Sequence, residues 1–135
     1  MRNNKIYDCI TFFQENFITN IRFEILNKYV DFFVVCESIY DHRGKKKEIN
    51  FKLNNPNFSN KVRHLILKDP FPKNLNLWER QAFQREYIFN GIQDSHDDDF
   101  IMFSDPDEIP RPEKLEKLIL KKDTQFFNKN ALTIN

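Results

Sequence analysis

The most chemically suggestive stretch of the chain is DDDFIMFSDPDEIPRPE, residues 97–113. Asp105 and Asp107 are two residues apart, so an extended backbone would direct both carboxylates to one side. Pro106 between them fixes one backbone angle and stiffens the turn. Carboxylate oxygens suit Mg²⁺ or Mn²⁺, which complete their coordination with water and phosphate oxygens. The same residues also fit a charged turn whose carboxylates favour the N-terminus of the next helix. Spacing alone leaves both interpretations open.

The acidic residues of this stretch fall into two groups at opposite ends of a predicted strand, Asp99–Phe103. In an open α/β sheet, ligands bind outside the carboxyl ends of the strands. Residues 97–99 lie at the amino end, so we interpret them as a solvated turn. Residues 105–108 lie at the carboxyl end, where a site is expected. Glu108 belongs to this candidate site, although we expect it to begin the next helix rather than to contact a metal directly.

Two further segments carry charged residues that could reach the same sheet edge. Glu37 directly follows the apolar run Asp31–Cys36, so it also lies at the carboxyl end of a strand. It could contact a ligand or accept a hydrogen bond from a loop, and both interpretations stay open. The loop beyond it holds Arg43 and Lys45, which could clamp a phosphate. The two lysines after Lys45 are interpreted as a solvated face.

Arg85 is the most informative charged residue of the second predicted helix. It falls inside an apolar stripe formed at helical spacing by Trp78, Ala82, Phe89 and Ile92. An arginine buried on such a face must be paired. Its partner could be a carboxylate of the acidic turn, a bound phosphate or a structural salt bridge. Trp78 is expected in the core rather than on a sugar-stacking surface.

The elements that must position these residues alternate along the chain. The predicted strands are Ile6–Phe13, Asp31–Cys36, Val62–Leu67 and Asp99–Phe103, and the predicted helices are Thr19–Tyr29, Leu77–Ile92 and Pro112–Lys121. The stripe of the first helix expected to face the sheet comprises Ile18, Ile21, Ile25 and Tyr29. In the third helix, the residues expected to face inward are Leu115, Leu118 and Ile119. The tail from Asp123 shows no clear pattern. This order predicts an α/β fold with a mostly parallel sheet flanked by helices.

Composition limits the class of protein. The chain has 135 residues, the length of one domain, and is 40% hydrophobic with a net charge of +1. A general nucleic-acid or membrane-surface binder would carry a clear basic excess. No apolar run approaches the roughly 20 residues that span a bilayer, and the N-terminus is unlike a signal peptide. Cys9 and Cys36 are expected to be buried, reduced thiols. These features predict a cytoplasmic protein.

Taken in order, several segments resemble glycosyltransferase family 17. They are YDCITFF, IRFEILNKYVDFFVVCES, HRGKKK, LNLWERQAFQREYI and DDDFIMFSDPDEIPRPE, and they extend over about 120 residues. The resemblance implies a GT-A-like, Rossmann-like α/β fold that binds a nucleotide sugar, with residues 1–135 as a single domain. It also implies a D-x-D motif that carries Mn²⁺ or Mg²⁺, UDP-N-acetylglucosamine as the donor and inverting transfer to a glycan hydroxyl.

The resemblance further implies roles for individual residues. Asp107 would ligate a metal that bridges the donor diphosphate, and Asp105 would assist through the metal or the donor ribose. Glu37 matches a family carboxylate near the nucleotide, and Arg43 and Lys45 also match family positions. The predicted donor site therefore comprises Glu37, Arg43, Lys45, Arg85, Asp105, Asp107 and Glu108, with Asp105 and Asp107 as the metal ligands.

Members of that family extend well beyond the length of this chain. The resemblance therefore implies a donor-binding part that is incomplete at its C-terminus, with the catalytic base outside it. It predicts weak or no transferase activity for the isolated chain. Because no segment of the sequence is recognisable as a membrane anchor, we expect a bacterial or viral cytosolic enzyme. The alternative is a truncated, non-catalytic module that binds a nucleotide sugar or a metal. A Mg²⁺-dependent phosphatase of the aspartyl-phosphate kind is disfavoured, because its D-x-D normally follows the first strand.

Overall fold

The computed structural model describes residues 4–120 and 131–133 of the chain. The strands are β1 (Ile6–Phe12), β2 (Phe32–Ser38), β3 (Val62–Leu67), β4 (Phe100–Ser104) and β5 (Ala131–Thr133). The α-helices are α1 (Asn16–Leu26), α2 (Leu77–Tyr87) and α3 (Pro112–Leu120), and short 3₁₀ helices cover Pro56–Phe58 and Ile88–Gly91. The strands form one parallel sheet in the order β3-β2-β1-β4-β5.

The predicted α/β architecture is confirmed, and a parallel sheet flanked by helices is consistent with a GT-A-like fold. The bounds of β3 and the start of α3 are those predicted, whereas the strands β1, β2 and β4 and the helices α1 and α2 differ at one or both ends. In particular, α2 stops at Tyr87 and continues as a 3₁₀ helix. The predicted helix end at Lys121 lies outside the described residues. β5 falls in the tail, where no element was predicted from the sequence.

The order of the strands changes direction at β1. The chain proceeds from β1 to β2 and β3 on one side, whereas β4 pairs with the other edge of β1. Such a switch opens a crevice at the carboxyl ends of the two central strands, and α/β proteins bind ligands there. Residues 105–108 directly follow β4 and therefore lie at this crevice.

Hydrophobic cores fill both faces of the sheet. Beneath α1 and α3, strand residues such as Ile10 and Met102 pack with Phe23 and Leu115. Leu118 and Ile119 of α3 are partly buried against this core, so the predicted inward face of α3 is confirmed. The opposite core joins the 3₁₀ helix after α2 to the sheet and contains Cys9 and Cys36, which are buried free thiols as predicted. Burial on both faces explains why β2 and β4 are almost continuously apolar.

The buried face of α1 is not the predicted one. Ile18 and Ile21 are half-buried and Ile25 is exposed. The residues that α1 buries are Thr19, Asn20, Arg22, Phe23 and Leu26. Because the helix is apolar on two sides, its spacing fits two different faces. The face that contains Arg22 contacts the sheet, where Asp8 of β1 supplies a buried carboxylate.

The acidic group that precedes β4 is not uniformly solvated. Residues 97 and 98 are exposed, as predicted, but Asp99 is 1% exposed. Its carboxylate accepts hydrogen bonds from the N–H groups of Lys5 and His96, each at 2.7 Å. Since a buried carboxylate requires such donors, Asp99 fastens the start of β1 to the start of β4. The prediction of a solvated turn was wrong for this residue.

Candidate functional site

An open cleft of about 670 Å³ lies at the carboxyl ends of β1, β2 and β4. Four parts of the chain line it: the end of β1 with the turn that follows, residues 41–43 after β2, the inward side of α2, and residues 105–107 after β4. The cleft therefore occupies the crevice that the strand order creates. Of the predicted site residues, it brings together Arg43, Arg85, Asp105 and Asp107.

The acidic turn at one wall of the cleft is closed by its own hydrogen bonds. The Glu108 N–H donates to the Asp105 carbonyl at 3.0 Å, and the Asp105 N–H donates to the Glu108 carboxylate at 2.9 Å. Pro106 is buried, whereas Asp105 and Asp107 are exposed. The Glu108 carboxylate is thus occupied within the turn, and the carboxylates of Asp105 and Asp107 are the ones presented to the cleft.

Arg22 lies beneath this turn and is fully buried. Its guanidinium forms a two-pronged ion pair with Asp8, with both N···O distances at 2.7 Å. The remaining donors reach the Ser104 hydroxyl and the main-chain carbonyls of Asp105, Pro106 and Glu108. Neither Asp8 nor Arg22 was singled out from the sequence. The available signal was one acidic residue inside an apolar strand and one arginine among the apolar residues of the following helix.

The pKa of Asp105 reflects both its partial burial and the charged groups around it. Partial burial, followed by repulsion from Glu108, raises the pKa of Asp105, with a further contribution from Asp107 and a partly compensating one from Arg85. The ionised form of Asp105 is therefore disfavoured in the folded protein. A bound cation would relieve this repulsion.

The charged side chains of the cleft fall into two classes: those that already bond to protein groups and those that do not. Glu15 accepts hydrogen bonds from the N–H groups of Phe13 and Gln14, so its carboxylate is already engaged. Asp41 is likewise engaged by two N–H groups of its own loop. Within residues 4–120, by contrast, the side chains of Asp105, Asp107, Arg43 and Arg85 make no hydrogen bond or ion pair with protein groups. Within residues 4–120, these four are the charged side chains of the cleft that are available to a ligand.

Helix α2 positions Arg85 differently from the prediction. The helix begins with a reciprocal capping box between Asn76 and Glu79. Trp78 is 75% and Phe89 51% exposed, and Ala82 and Arg85 are exposed too, so they are not a buried stripe. α2 instead turns Gln84 toward the sheet, where the Gln84 amide donates to the Cys36 and Phe12 carbonyls. Arg85 follows Gln84 and lies at the cleft rim, and the expectation that Trp78 is a core residue was wrong.

The loop after β2 is a tight turn built on Asp41. Its carboxylate accepts hydrogen bonds from the N–H groups of Lys45 and Arg43, at 2.8 and 2.9 Å, and these bonds hold the pKa of Asp41 below its usual value. Gly44 adopts a φ of 88°, which favours glycine. Arg43 lines the cleft, whereas the exposed Lys45 does not.

His42, in the same loop, is a cleft residue that the sequence did not suggest as a site. Because the Gln84 amide nitrogen donates to two carbonyls, the Gln84 side-chain oxygen faces His42 Nε2, at 2.7 Å. His42 Nε2 must then carry the proton. The ring also contacts Phe71 edge-on. These contacts fix one wall of the cleft.

Glu37 is fully buried and does not line the cleft. Its carboxylate accepts hydrogen bonds from Lys47 and from the N–H groups of Asn50 and Phe51, and it lies 3.0 Å from His64 Nε2. Burial raises the pKa of Glu37, but these hydrogen bonds outweigh burial and leave the pKa below its usual value. The prediction that both lysines after Lys45 form a solvated face was therefore wrong for Lys47.

Comparison with known protein families finds a family model that matches the chain. The model of Glycosyltransferase family 17 matches residues 1–128. The chain belongs to glycosyltransferase family 17. The resemblance seen in the sequence is thereby confirmed. As a family 17 domain the chain is a glycosyltransferase, which implies a nucleotide-sugar donor and a glycan acceptor.

The other comparisons add no further relative. No curated protein and no solved structure matched this family 17 chain. Across residues 4–120 and 131–133, none of the helices has the length and apolar character required to cross a membrane.

Proposed function

We propose that the cleft of this family 17 chain binds UDP-N-acetylglucosamine together with Mn²⁺ or Mg²⁺, for inverting transfer of the sugar to a glycan hydroxyl. One observation carries the proposal. Two carboxylates and two guanidinium groups, none engaged by protein groups within residues 4–120, line a single cleft at the switch point of a parallel sheet. In a metal–diphosphate, the cation complements the two carboxylates and the phosphates complement the two guanidinium groups. Family membership supports the nucleotide-sugar class of donor.

Asp105 and Asp107 are the residues that would hold the cation. Both supply hard oxygen ligands to the cleft, and the neighbouring carboxylate of Glu108 adds to the negative charge around Asp105. No cluster of three or more His, Cys, Asp or Glu side chains suited to a metal occurs in the described part of the chain. The two carboxylates suit a cation that takes its remaining ligands from the donor and water, as Mg²⁺ commonly does. When bound, the cation would neutralise charge on the departing diphosphate.

Arg43 and Arg85 are the residues that would contact the phosphates. A guanidinium group can form paired hydrogen bonds with phosphate oxygens. Asp41 fixes the loop that carries Arg43, and the capping box fixes the start of the helix that carries Arg85. The two arginines would thereby orient the diphosphate relative to the acidic turn. Three predicted donor-site residues would contribute indirectly. Glu37 holds residues 47–51, and Glu108 closes the acidic turn. The main-chain N–H of Lys45 donates to Asp41, which fixes the loop that carries Arg43.

Calorimetric titration with UDP-N-acetylglucosamine tests the proposal. We expect binding in the presence of Mn²⁺, and at least about tenfold weaker binding after Mn²⁺ is chelated or after Asp107→Asn. Asp97→Asn serves as the matched control, because Asp97 is an exposed aspartate of the other acidic group. Equal binding by wild type and Asp107→Asn would contradict the proposal.

A second arm separates an enzyme from a binding module. Radiolabelled donor is incubated with the chain, Mn²⁺ and an N-glycan acceptor, and labelled glycan is measured against free labelled sugar. Donor binding without labelled glycan would favour the non-catalytic module. Labelled glycan that disappears with Asp107→Asn would support transfer by this chain.

A further inference from the structure

The main chain of the acidic turn is held by a single buried side chain. Arg22 Nη1 lies 3.2 Å from the Asp105 carbonyl oxygen, 3.4 Å from that of Pro106 and 2.7 Å from that of Glu108. Three carbonyl groups of a four-residue turn therefore point inward, toward the guanidinium. The side chains of Asp105 and Asp107 project from the same main chain into the cleft.

The other donors of Arg22 fix the guanidinium itself. Asp8 in the central strand accepts from Nε and Nη2, and Ser104 at the end of β4 accepts from Nη2. A guanidinium has five N–H donors in a rigid plane, and these contacts occupy all of them. The turn is thereby connected to β1, to α1 and to the end of β4, the elements that define the crevice.

Stability alone is a poor reason for such an arrangement. A buried ion pair often contributes no more to stability than well-packed apolar residues of similar volume. Apolar residues, however, could not hold three carbonyl groups in place. Lysine could not replace the arginine either, because one ammonium group lacks the planar fork that reaches the carboxylate and the turn together.

We infer that Arg22 is a positioning residue that presets the acidic turn for a divalent cation, an inference that rests on the proposed function of Asp105 and Asp107. By holding the carbonyl groups of Asp105, Pro106 and Glu108, Arg22 keeps the two free carboxylates in one arrangement before the cation arrives. Preorganisation of this kind raises affinity because less ordering is required on binding.

The test compares Arg22→Lys with Arg63→Lys. Arg63 also forms a two-pronged pair with an aspartate, Asp94, and donates to the Gly91 carbonyl, but it does not contact the turn. Arg63 is more exposed than Arg22, so it matches the chemistry rather than the burial. Two quantities are measured: Mn²⁺ affinity by electron paramagnetic resonance, and amide hydrogen exchange at Asp105 and Glu108 in the metal-free protein.

With Arg22→Lys, we expect about tenfold weaker Mn²⁺ binding and about tenfold faster exchange at Asp105 and Glu108. Arg63→Lys should leave both quantities at wild-type values. The inference would be overturned if Arg22→Lys showed the same amide exchange rates and the same Mn²⁺ affinity as the wild type. An Arg22 with a merely structural role could lower the melting temperature without changing either quantity.

Two further outcomes also decide the matter. If Arg22→Lys does not fold, Ser104→Ala removes one acceptor of Arg22 and should still accelerate exchange at Asp105 and Glu108 about threefold. Unchanged exchange in Ser104→Ala would overturn the inference. If the wild type binds no Mn²⁺, the proposed cation role fails and the cation part of the inference fails with it. The exchange data then still decide whether Arg22 holds the turn.

Discussion

Two groups of acidic residues flank β4, and their carboxylates are used differently. The first acidic group is residues 97–99, and the second is residues 105–108. Before the strand, the Asp99 carboxylate is buried and accepts main-chain N–H groups of Lys5 and His96. After the strand, Asp105 and Asp107 expose their carboxylates to the cleft, while the turn's carbonyl groups contact Arg22. Before β4, the Asp99 side chain is used to accept main-chain hydrogen bonds. After β4, the buried Arg22 side chain holds the main chain, and the carboxylates of Asp105 and Asp107 stay available.

The difference shows that acidic density by itself does not identify a site. What matters is whether nearby main-chain donors occupy the carboxylates. Asp99 precedes the amino end of β4, where ligands rarely bind, and its carboxylate is occupied. Residues 105–107 follow the carboxyl end, where the parallel sheet opens. Substitutions at each end of β4 test this difference.

The largest effect is expected for Asp8→Ala, which removes the partner that supports the second acidic group. An unpaired, buried Arg22 should lower the free energy of unfolding by about 4 kcal/mol. Urea denaturation measures this change. Asp94→Ala, which unpairs the more exposed Arg63, should cost only about 0.5 kcal/mol. Similar losses in the two variants would show that burial does not distinguish the two ion pairs.

A smaller loss is expected for Asp99→Ala, in the first acidic group. Two N–H groups at the starts of β1 and β4 would lose a charged acceptor, which should cost about 3 kcal/mol. Asp97→Ala should leave urea denaturation close to that of the wild type. Donor affinity of the folded Asp99 variant should not change. A loss of donor affinity would mean that the two acidic groups are not functionally separate.

Donor affinity should respond to Arg85→Gln. Losing one charged contact to phosphate should weaken UDP-N-acetylglucosamine binding about tenfold, by the loss of about 1.4 kcal/mol. Because Arg85 is exposed and makes no ion pair within residues 4–120, urea denaturation should barely change. Lys46→Gln, which neutralises an exposed cation in another part of the surface, is the control for net charge. Equal weakening by both variants would indicate general electrostatics rather than a specific contact.

The smallest effect is expected for Asp105→Asn on the stability of the metal-free protein. Because burial and neighbouring carboxylates raise the pKa of Asp105, its contribution to stability is present below its ordinary pKa and is lost as pH rises through the raised value. Removing this charge should therefore leave stability at pH 7 unchanged or slightly higher. The difference should vanish at about pH 3, where Asp105 is protonated in both folded and unfolded protein.

Added Mn²⁺ sharpens this prediction. It should stabilise the wild type more than Asp105→Asn, because the cation binds the folded protein through the carboxylate that the variant lacks. Thermal denaturation with and without Mn²⁺ measures both effects. Clear destabilisation by Asp105→Asn at pH 7 without metal would show that the carboxylate has a structural role like that of Asp99.

Much of the fold could be predicted because local patterns carry it. Continuous apolar strands alternating with helices indicate a parallel sheet, and residues 105–108 could be placed at the carboxyl end of a strand from sequence order alone. Arg43, Asp105 and Asp107 do line one cleft. Their ligand and metal remain predictions.

The errors arose where the buried partner is distant in sequence. The Arg22–Asp8 pair joins a helix to a strand, and helical spacing fitted a second face of α1 equally well. Arg85 was assigned to a buried stripe, but α2 buries polar Gln84 because two strand-end carbonyls accept hydrogen bonds from its amide. Asp99 was interpreted as solvated, because no local sequence pattern reveals that its carboxylate accepts a hydrogen bond from the Lys5 N–H.

We propose that the acidic residues after β4, and not those before it, hold the cation. Paramagnetic broadening of amide NMR signals by substoichiometric Mn²⁺ tests it most directly, because broadening reports distance from the ion. Signals of residues 105, 107 and 108 and of the facing loop 41–43 should broaden first, while those of residues 97–99 stay sharp. Broadening centred on residues 97–99, or spread evenly over both acidic groups, would contradict the claim.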